Sequence, residues 1–214
     1  MGIKQAMTSS VGKKCLMAIS GAMLSLFLLA HLAGNTTIFG GRDSFNSYAG
    51  RLHSLGILLH IFSAALLLVF LIHIVTGIIL FIENYRARPA RYAVYKSSGE
   101  RSWGARSMPY TGALILLFLF VHIVNFKFSD KIVPGDAVAA VLTRPGYALF
   151  YIFAFLALAL HVSHGLWSLN QTLGLNHPKY NRMLRAGALG VSIIIGMLFI
   201  LIPSLFLIYD GFFL

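Results

Sequence analysis

The sequence predicts an all-α integral membrane bundle of five transmembrane helices, with the N-terminus cytoplasmic and the C-terminus outside. Three observations predict it. Of 214 residues, 58% are hydrophobic and only 11% charged, against about 25% charged in a soluble domain. Five stretches carry no charged side chain, at 15–41, 52–82, 107–126, 145–178 and 186–209, and each supplies the ~20 apolar residues that a spanning helix needs. The basic residues fall mainly on alternate connections, as they do when one face of a bundle is cytoplasmic.

Taken in order, the expected helices cover about 15–39, 55–84, 108–128, 146–171 and 185–209 of a single domain, 1–214. The first follows Lys4, Lys13 and Lys14 and lacks a small-residue cleavage site, so it reads as a retained helix and not a signal peptide. The second ends at the stretch ENYRARPARY, where Pro89 stops the helix and the arginines face the cytoplasm. The connections are short, so successive helices pack antiparallel. Ser20, Gly21 and Ser25 in the first helix, Gly112 in the third, and Gly187, Gly190 and Gly196 in the fifth mark expected close contacts or room for a flat group. Pro203 is expected to kink the fifth helix.

The net charge of +11 raises the question of nucleic acid, and the distribution answers it. Twelve of the 17 basic residues lie at the N-terminus, after the second helix (Arg86, Arg88, Arg91, Lys96, Arg101, Arg106) or after the fourth (Lys179, Arg182, Arg185). Orientation and anionic lipid account for such a pattern, and it also makes a docking face for a soluble partner. No nucleic-acid partner is expected. The single cysteine, Cys15, excludes an internal disulfide and a Cys-ligated iron–sulfur cluster within this chain.

Four histidines lie inside the charge-free runs: His31, His73, His122 and His161. An imidazole in hydrocarbon is costly and reads as a functional group, and neutral imidazole is the side chain most used to ligate haem iron. Depth pairs them. His31 lies 17 residues beyond Lys14 and His122 lies 16 beyond Arg106, which puts both roughly 25 Å along helices running outward. His73 and His161 follow Arg51 and Arg144 by 22 and 17 residues on helices running inward. The expected pairs are His31 with His122 near the outer face and His73 with His161 nearer the cytoplasm. One histidine on each of the first four helices also suggests a two-helix duplication. His164 lies on the same helical face as His161, and the 42-residue spacing from His31 to His73 recurs from His122 to His164. Spacing alone therefore favours His164 as the fourth ligand.

At this point the residues carry a resemblance. The segment 17–48, with AHLAGN around His31 and GRDSFNSYAG after it, resembles the membrane cytochrome b subunit of succinate dehydrogenases and fumarate reductases, in the form with a single five-helix anchor and two haems b. LIHIVTG around His73, ENYRARPARY, TGALILLFLFVH ending at His122 and HVSHGLWSLNQTLG continue it in the family's order over nearly the whole chain. In that family the fourth ligand lies four residues before the glycine of the GLW-type motif. Gly165 is that glycine here, so the resemblance implies His161, with His164 as an alternate and a propionate contact.

The resemblance also implies a prokaryotic inner-membrane complex. A flavoprotein subunit and an iron–sulfur subunit would sit on the cytoplasmic side, quinone (menaquinone by analogy) would be the redox substrate, and the whole complex could dimerise. Two haem b groups would be the cofactors, with iron held by His31, His122, His73 and His161. Some members carry a carboxylate two residues before the fourth ligand; Ala159 stands there, so a proton path through that side chain is not expected. Candidates for quinone-site proton exchange are His53, His60, Tyr48 and Asp43. Candidates for the propionates are Lys14, Arg86, Trp103 and His164 inside, and Arg42, Arg51 and Lys127 outside. Two further classes fit less well: an anchor for a periplasmic hydrogenase or formate dehydrogenase, and a haem-free transporter, for which discontinuous helices around a midplane site would be expected.

Overall fold

A computed structural model describes residues 9–87, 103–131, 133–209 and 213, apart from the side chains of Trp103 and Ala105. The described chain is all-helical, and five of its helices are long and apolar enough to cross a membrane. Helix α1 spans Ser10–Asn35 and continues as a 3-10 turn, Thr36–Gly40. Its first turn is closed by Ser9, whose Oγ accepts from the Gly12 amide at 3.0 Å. Gly41, at φ 87°, turns the chain into α2, Arg42–His53, and Gly56, at φ 52°, turns it into α3, Ile57–Arg86. Both positions need the left-handed backbone that glycine adopts without penalty.

The remaining helices are α4 (Trp103–Phe126), α5 (Pro134–Leu142), α6 (Pro145–Thr172) and α7 (Asn181–Ile208). Proline opens both α5 and α6, where its missing N–H costs nothing. Pro109 and Pro203 lie inside α4 and α7, and both helices run on past them. Several helices outlast the charge-free runs. The 30 residues of α3 measure roughly 45 Å, well over the ~30 Å hydrocarbon thickness, so its ends project into the interface. There Lys13 and Glu83 form an ion pair that ties α1 to α3 at the basic end of the bundle.

Helix α6 is the hub. It packs against α7, α4 and α1, whereas α3 packs extensively against α1 alone. The four helices α3, α1, α6 and α4 therefore form an open rhombus, with α7 outside α6. Tyr151, Phe155, Ile195, Phe199, Ile202 and Phe206 make the core of the α6–α7 seam. The 3-10 turn, α2 and α5 cover the end opposite the basic one. Arg42 pairs with Asp136, and the Gly135 amide donates to Asn46 Oδ1 at 2.9 Å. Tyr48 packs so closely on Gly34 that a Cβ there would overlap its ring. The short connections expected at this end thus contain two helices.

Glycine faces correct part of the sequence reading. Gly196 lies where an added Cβ would come within 2.7 Å of Ala159 Cβ, and Gly21 and Gly112 face histidine rings. Gly187 and Gly190 meet nothing within 4 Å, because they point away from the seam, and they are not contact glycines. Gly196→Val is expected to cost about 1–3 kcal/mol by overpacking the seam, read as a lower thermal midpoint in detergent. Gly190→Ala should hold the midpoint or raise stability by up to ~1 kcal/mol. Equal midpoints for the two variants would contradict the seam.

Candidate functional site: two facing histidine pairs

The four membrane-embedded histidines sit on the diagonals of the rhombus. His31 of α1 faces His122 of α4, with ring centroids 5.9 Å apart and planes at 86°. His73 of α3 faces His161 of α6, with centroids 6.4 Å apart and planes at 68°. Neither α1 with α4 nor α3 with α6 is a closely packed pair, so each diagonal leaves an interior gap that the rings point into. His164 takes no part in this facing. It lies against the start of α4, where a Cβ on Gly104 would come within 3.2 Å of its Nδ1.

The pairs lie at two levels. The His73 ring meets Ser20 of α1, eleven residues before His31, and the His161 ring meets Thr111 of α4, eleven residues before His122. Eleven residues of helix amount to roughly 16 Å along the axis. In each case a glycine follows the hydroxyl residue and lies beneath the ring. A Cβ on Gly21 would stand 3.2 Å from His73 Cε1, and one on Gly112 would stand 3.5 Å from His161 Cε1. The two-helix repeat suggested by the histidines thus extends to Ser20-Gly21 and Thr111-Gly112.

The surroundings of the two pairs differ. At the basic-end pair both Nδ1 atoms have hydroxyl partners at 3.1 Å. At the far-end pair the His122 Nδ1 is buried without a hydrogen-bond partner among the described residues, and the rings are enclosed by aromatics. Phe27 stacks on His31 at 5.3 Å, Phe118 and Phe126 flank His122 at 5.4 and 5.0 Å, and Phe199 and Tyr151 close the cage. Composition alone did not single these aromatics out, because phenylalanine is equally at home facing lipid.

A haem iron held between two imidazoles suits this donor set. Two metal–nitrogen bonds of about 2 Å, with the half-width of each ring, separate the ring centres by roughly 6 Å. Imidazoles facing one another across an apolar gap are the ligands such an iron takes, and Gly21 and Gly112 leave room beside the His73 and His161 rings.

No protein-family model and no solved structure matches the chain. It is 31% identical over 157 residues to the succinate dehydrogenase cytochrome b558 subunit of Bacillus subtilis (strain 168), an alignment covering 71% of this chain and 74% of the relative. The chain belongs to the succinate dehydrogenase cytochrome b family.

In this cytochrome b chain the other sequence candidates scatter. His53 and Asp43 are exposed on α2, and His60 is exposed on α3 with its Nδ1 3.1 Å from the Gly56 carbonyl. Tyr48 is half-buried against Gly34. These four share no hydrogen bond or ion pair among the described residues, and none lines the polar cleft between α4, α5 and α6 at the same end. That cleft, of about 240 Å³, is bordered by Asn125, Asp130, Lys131, Arg144 and Tyr147. Lys14, Arg86, Arg51 and Lys127 are exposed, Arg42 is engaged by Asp136, and the Trp103 side chain lies outside the described residues. Ala159 meets Gly196 of α7 and so faces away from both gaps. In the GLW-type motif, buried Trp167 receives the Arg185 guanidinium 4.4 Å from its ring centroid, joining α6 to α7 at the basic end.

Tyr151 is only 3% exposed beneath the far-end pair. Tyr151→Ala is expected to cost about 3–5 kcal/mol, and Tyr151→Phe, which removes one hydroxyl with a 3.3 Å bond from Asn125, less than ~1.5 kcal/mol. Thermal unfolding in detergent separates the two; equal losses would mean that the hydroxyl, and not the ring, holds the cage.

Proposed function

We propose that this chain is the membrane anchor and electron-transfer subunit of a succinate:quinone oxidoreductase, passing electrons between an iron–sulfur partner subunit and a membrane quinone through two bis-histidine b haems. The observation that carries the reading is the pair of facing imidazole pairs, one on each diagonal and at two levels. His31 and His122 hold the outer haem, and His73 and His161 the inner one. Haem b bound in this way supplies one-electron exchange. His31, His122, His73 and His161 would hold and orient these groups, which would supply electron exchange, and would not themselves bind a reactant.

The protein's contributions are insulation and address. The core of α6 and α7 and the cage of Phe27, Phe118, Phe126, Tyr151 and Phe199 keep water from the outer pair. With the N-terminus cytoplasmic, the basic end presents Lys14, Arg86, Arg182 and Arg185 to the iron–sulfur and flavoprotein subunits and to anionic lipid. The family membership supports a partner flavoprotein that interconverts succinate and fumarate. His164 and Trp103, with Lys14 and Arg86, are the propionate contacts proposed at this end, and the setting is the inner membrane of a prokaryote. Quinone, with menaquinone the proposed type, exchanges electrons and protons at the outer end. There His53, His60, Tyr48 and Asp43 are the proton-carrying candidates of this chain.

Haem content by pyridine haemochrome on purified single variants tests the assignment. His31→Ala, His73→Ala, His122→Ala and His161→Ala should each lose one of two haems b, whereas His164→Ala should keep both. Loss of a haem in His164→Ala with two retained in His161→Ala would transfer the ligand role to His164.

A further inference from the structure

We propose that Ser20 and Thr111 are matched positioning residues: each accepts the Nδ1 proton of one histidine of the basic-end pair, fixing the tautomer of His73 and His161 and setting the potential of the haem they hold. Among the described residues the His122 Nδ1 of the far-end pair has no such partner, so the two sites are tuned by different means. The proposal rests on the haem reading above and goes beyond it by assigning a role to two residues outside the ligand set.

Ser20 Oγ has a single proton, which it gives to its own helix, to the Leu16 carbonyl at 2.7 Å with Met17 at 3.2 Å. Thr111 Oγ1 does the same with Ser107 at 3.0 Å and Met108 at 3.2 Å. Such back-bonding to the preceding turn is how a mid-helix hydroxyl settles in an apolar medium. What each oxygen still offers is a lone pair, and the atom 3.1 Å away is an imidazole Nδ1. With the hydroxyl proton placed on its own helix, that nitrogen is the donor. With Nδ1 protonated, Nε2 carries the free lone pair on both rings, the form in which histidine ligates a metal.

The same bond has an electronic consequence. An Nδ1–H that donates to oxygen makes the imidazole a stronger base and favours the ferric state of the iron it holds. Losing the bond raises the midpoint potential. At the far end, among the described residues, His122 Nδ1 is buried without a partner, and the His31 ring is met by Phe27, His122 and Phe199. The hydroxyl–glycine pairs 20–21 and 111–112 thus serve one site only.

Redox titration of the purified holoprotein, following the two haem components by absorbance, tests this. Thr111→Val and Ser20→Ala should retain two haems, with one component shifted upward and the other unmoved. The ferric/ferrous ratio of the shifted component should fall by about two- to tenfold at fixed potential, tenfold being 59 mV for one electron. Thr111→Ser should restore the wild-type midpoint. Thr111→Val decides most sharply, because Thr111→Ser is its matched control. Unchanged midpoints in Thr111→Val, or equal shifts in both components, would overturn the proposal. Should Thr111→Val lose a haem, Thr111→Ser decides: two haems at wild-type midpoints support the role, and a loss there as well overturns it. A wild-type protein without haem would instead overturn the functional reading, before any variant is made.

Discussion

Each imidazole held among apolar helices carries two polar nitrogens that need partners, and the bundle is arranged around where those nitrogens find them. In a soluble protein a stranded ring nitrogen turns to solvent. Here the side chains lie on helices whose outer surfaces face hydrocarbon, so they turn inward, across the diagonals of the α1–α3–α4–α6 rhombus. At the basic end the Nδ1 of each ring is met by a hydroxyl, and the two rings face each other across the gap. At the far end aromatic rings exclude everything else. The facing geometry is what remains once the other options have been removed.

That geometry requires two helices to stay apart where packing would draw them together. Helix α6 supplies the restraint. It is fixed to α7 by the Ala159–Gly196 contact and the Phe155–Phe199 stack, and to α7 again by the Trp167–Arg185 contact at the basic end. With α6 anchored on its far side, its His161 face is free to look into the gap. Helix α3, held mainly by α1 and by the Lys13–Glu83 pair, presents most of its surface outward, as a peripheral wall of such a site can. The covering helices α2 and α5, joined by Arg42–Asp136 and Asn46–Gly135, close the far end.

The five spans were legible because lipid imposes a simple rule, long runs without charge, and that rule survives any tertiary arrangement. The levels of His31, His73, His122 and His161 followed from helical rise counted from flanking charges. Other features obeyed rules that sequence does not display. A polar twelve-residue segment such as 42–53 looks like a loop until its packing on Gly34 and α5 is known. Gly187, Gly190 and Gly196 read alike in the sequence, and only facing direction separates the last from the others. The spacing that favoured His164 assumed equal interhelical connections, whereas the connection of α1 to α3 contains a 3-10 turn and α2, and that of α4 to α6 contains α5. Ser20 and Thr111 were hidden because a mid-helix hydroxyl ordinarily satisfies itself on its own backbone, and both do. Their second bond needs the partner helix.

The central claim is that two facing imidazole pairs hold two haems at two levels. Quantifying haem b per chain in the purified wild-type protein, with a dithionite-reduced minus oxidised spectrum of the same sample, tests it most directly. Two haems b per chain, both six-coordinate and unreactive to carbon monoxide when reduced, are the expected result. A well-folded preparation without haem would contradict the account, and a single haem would mean that one diagonal pair does not bind iron.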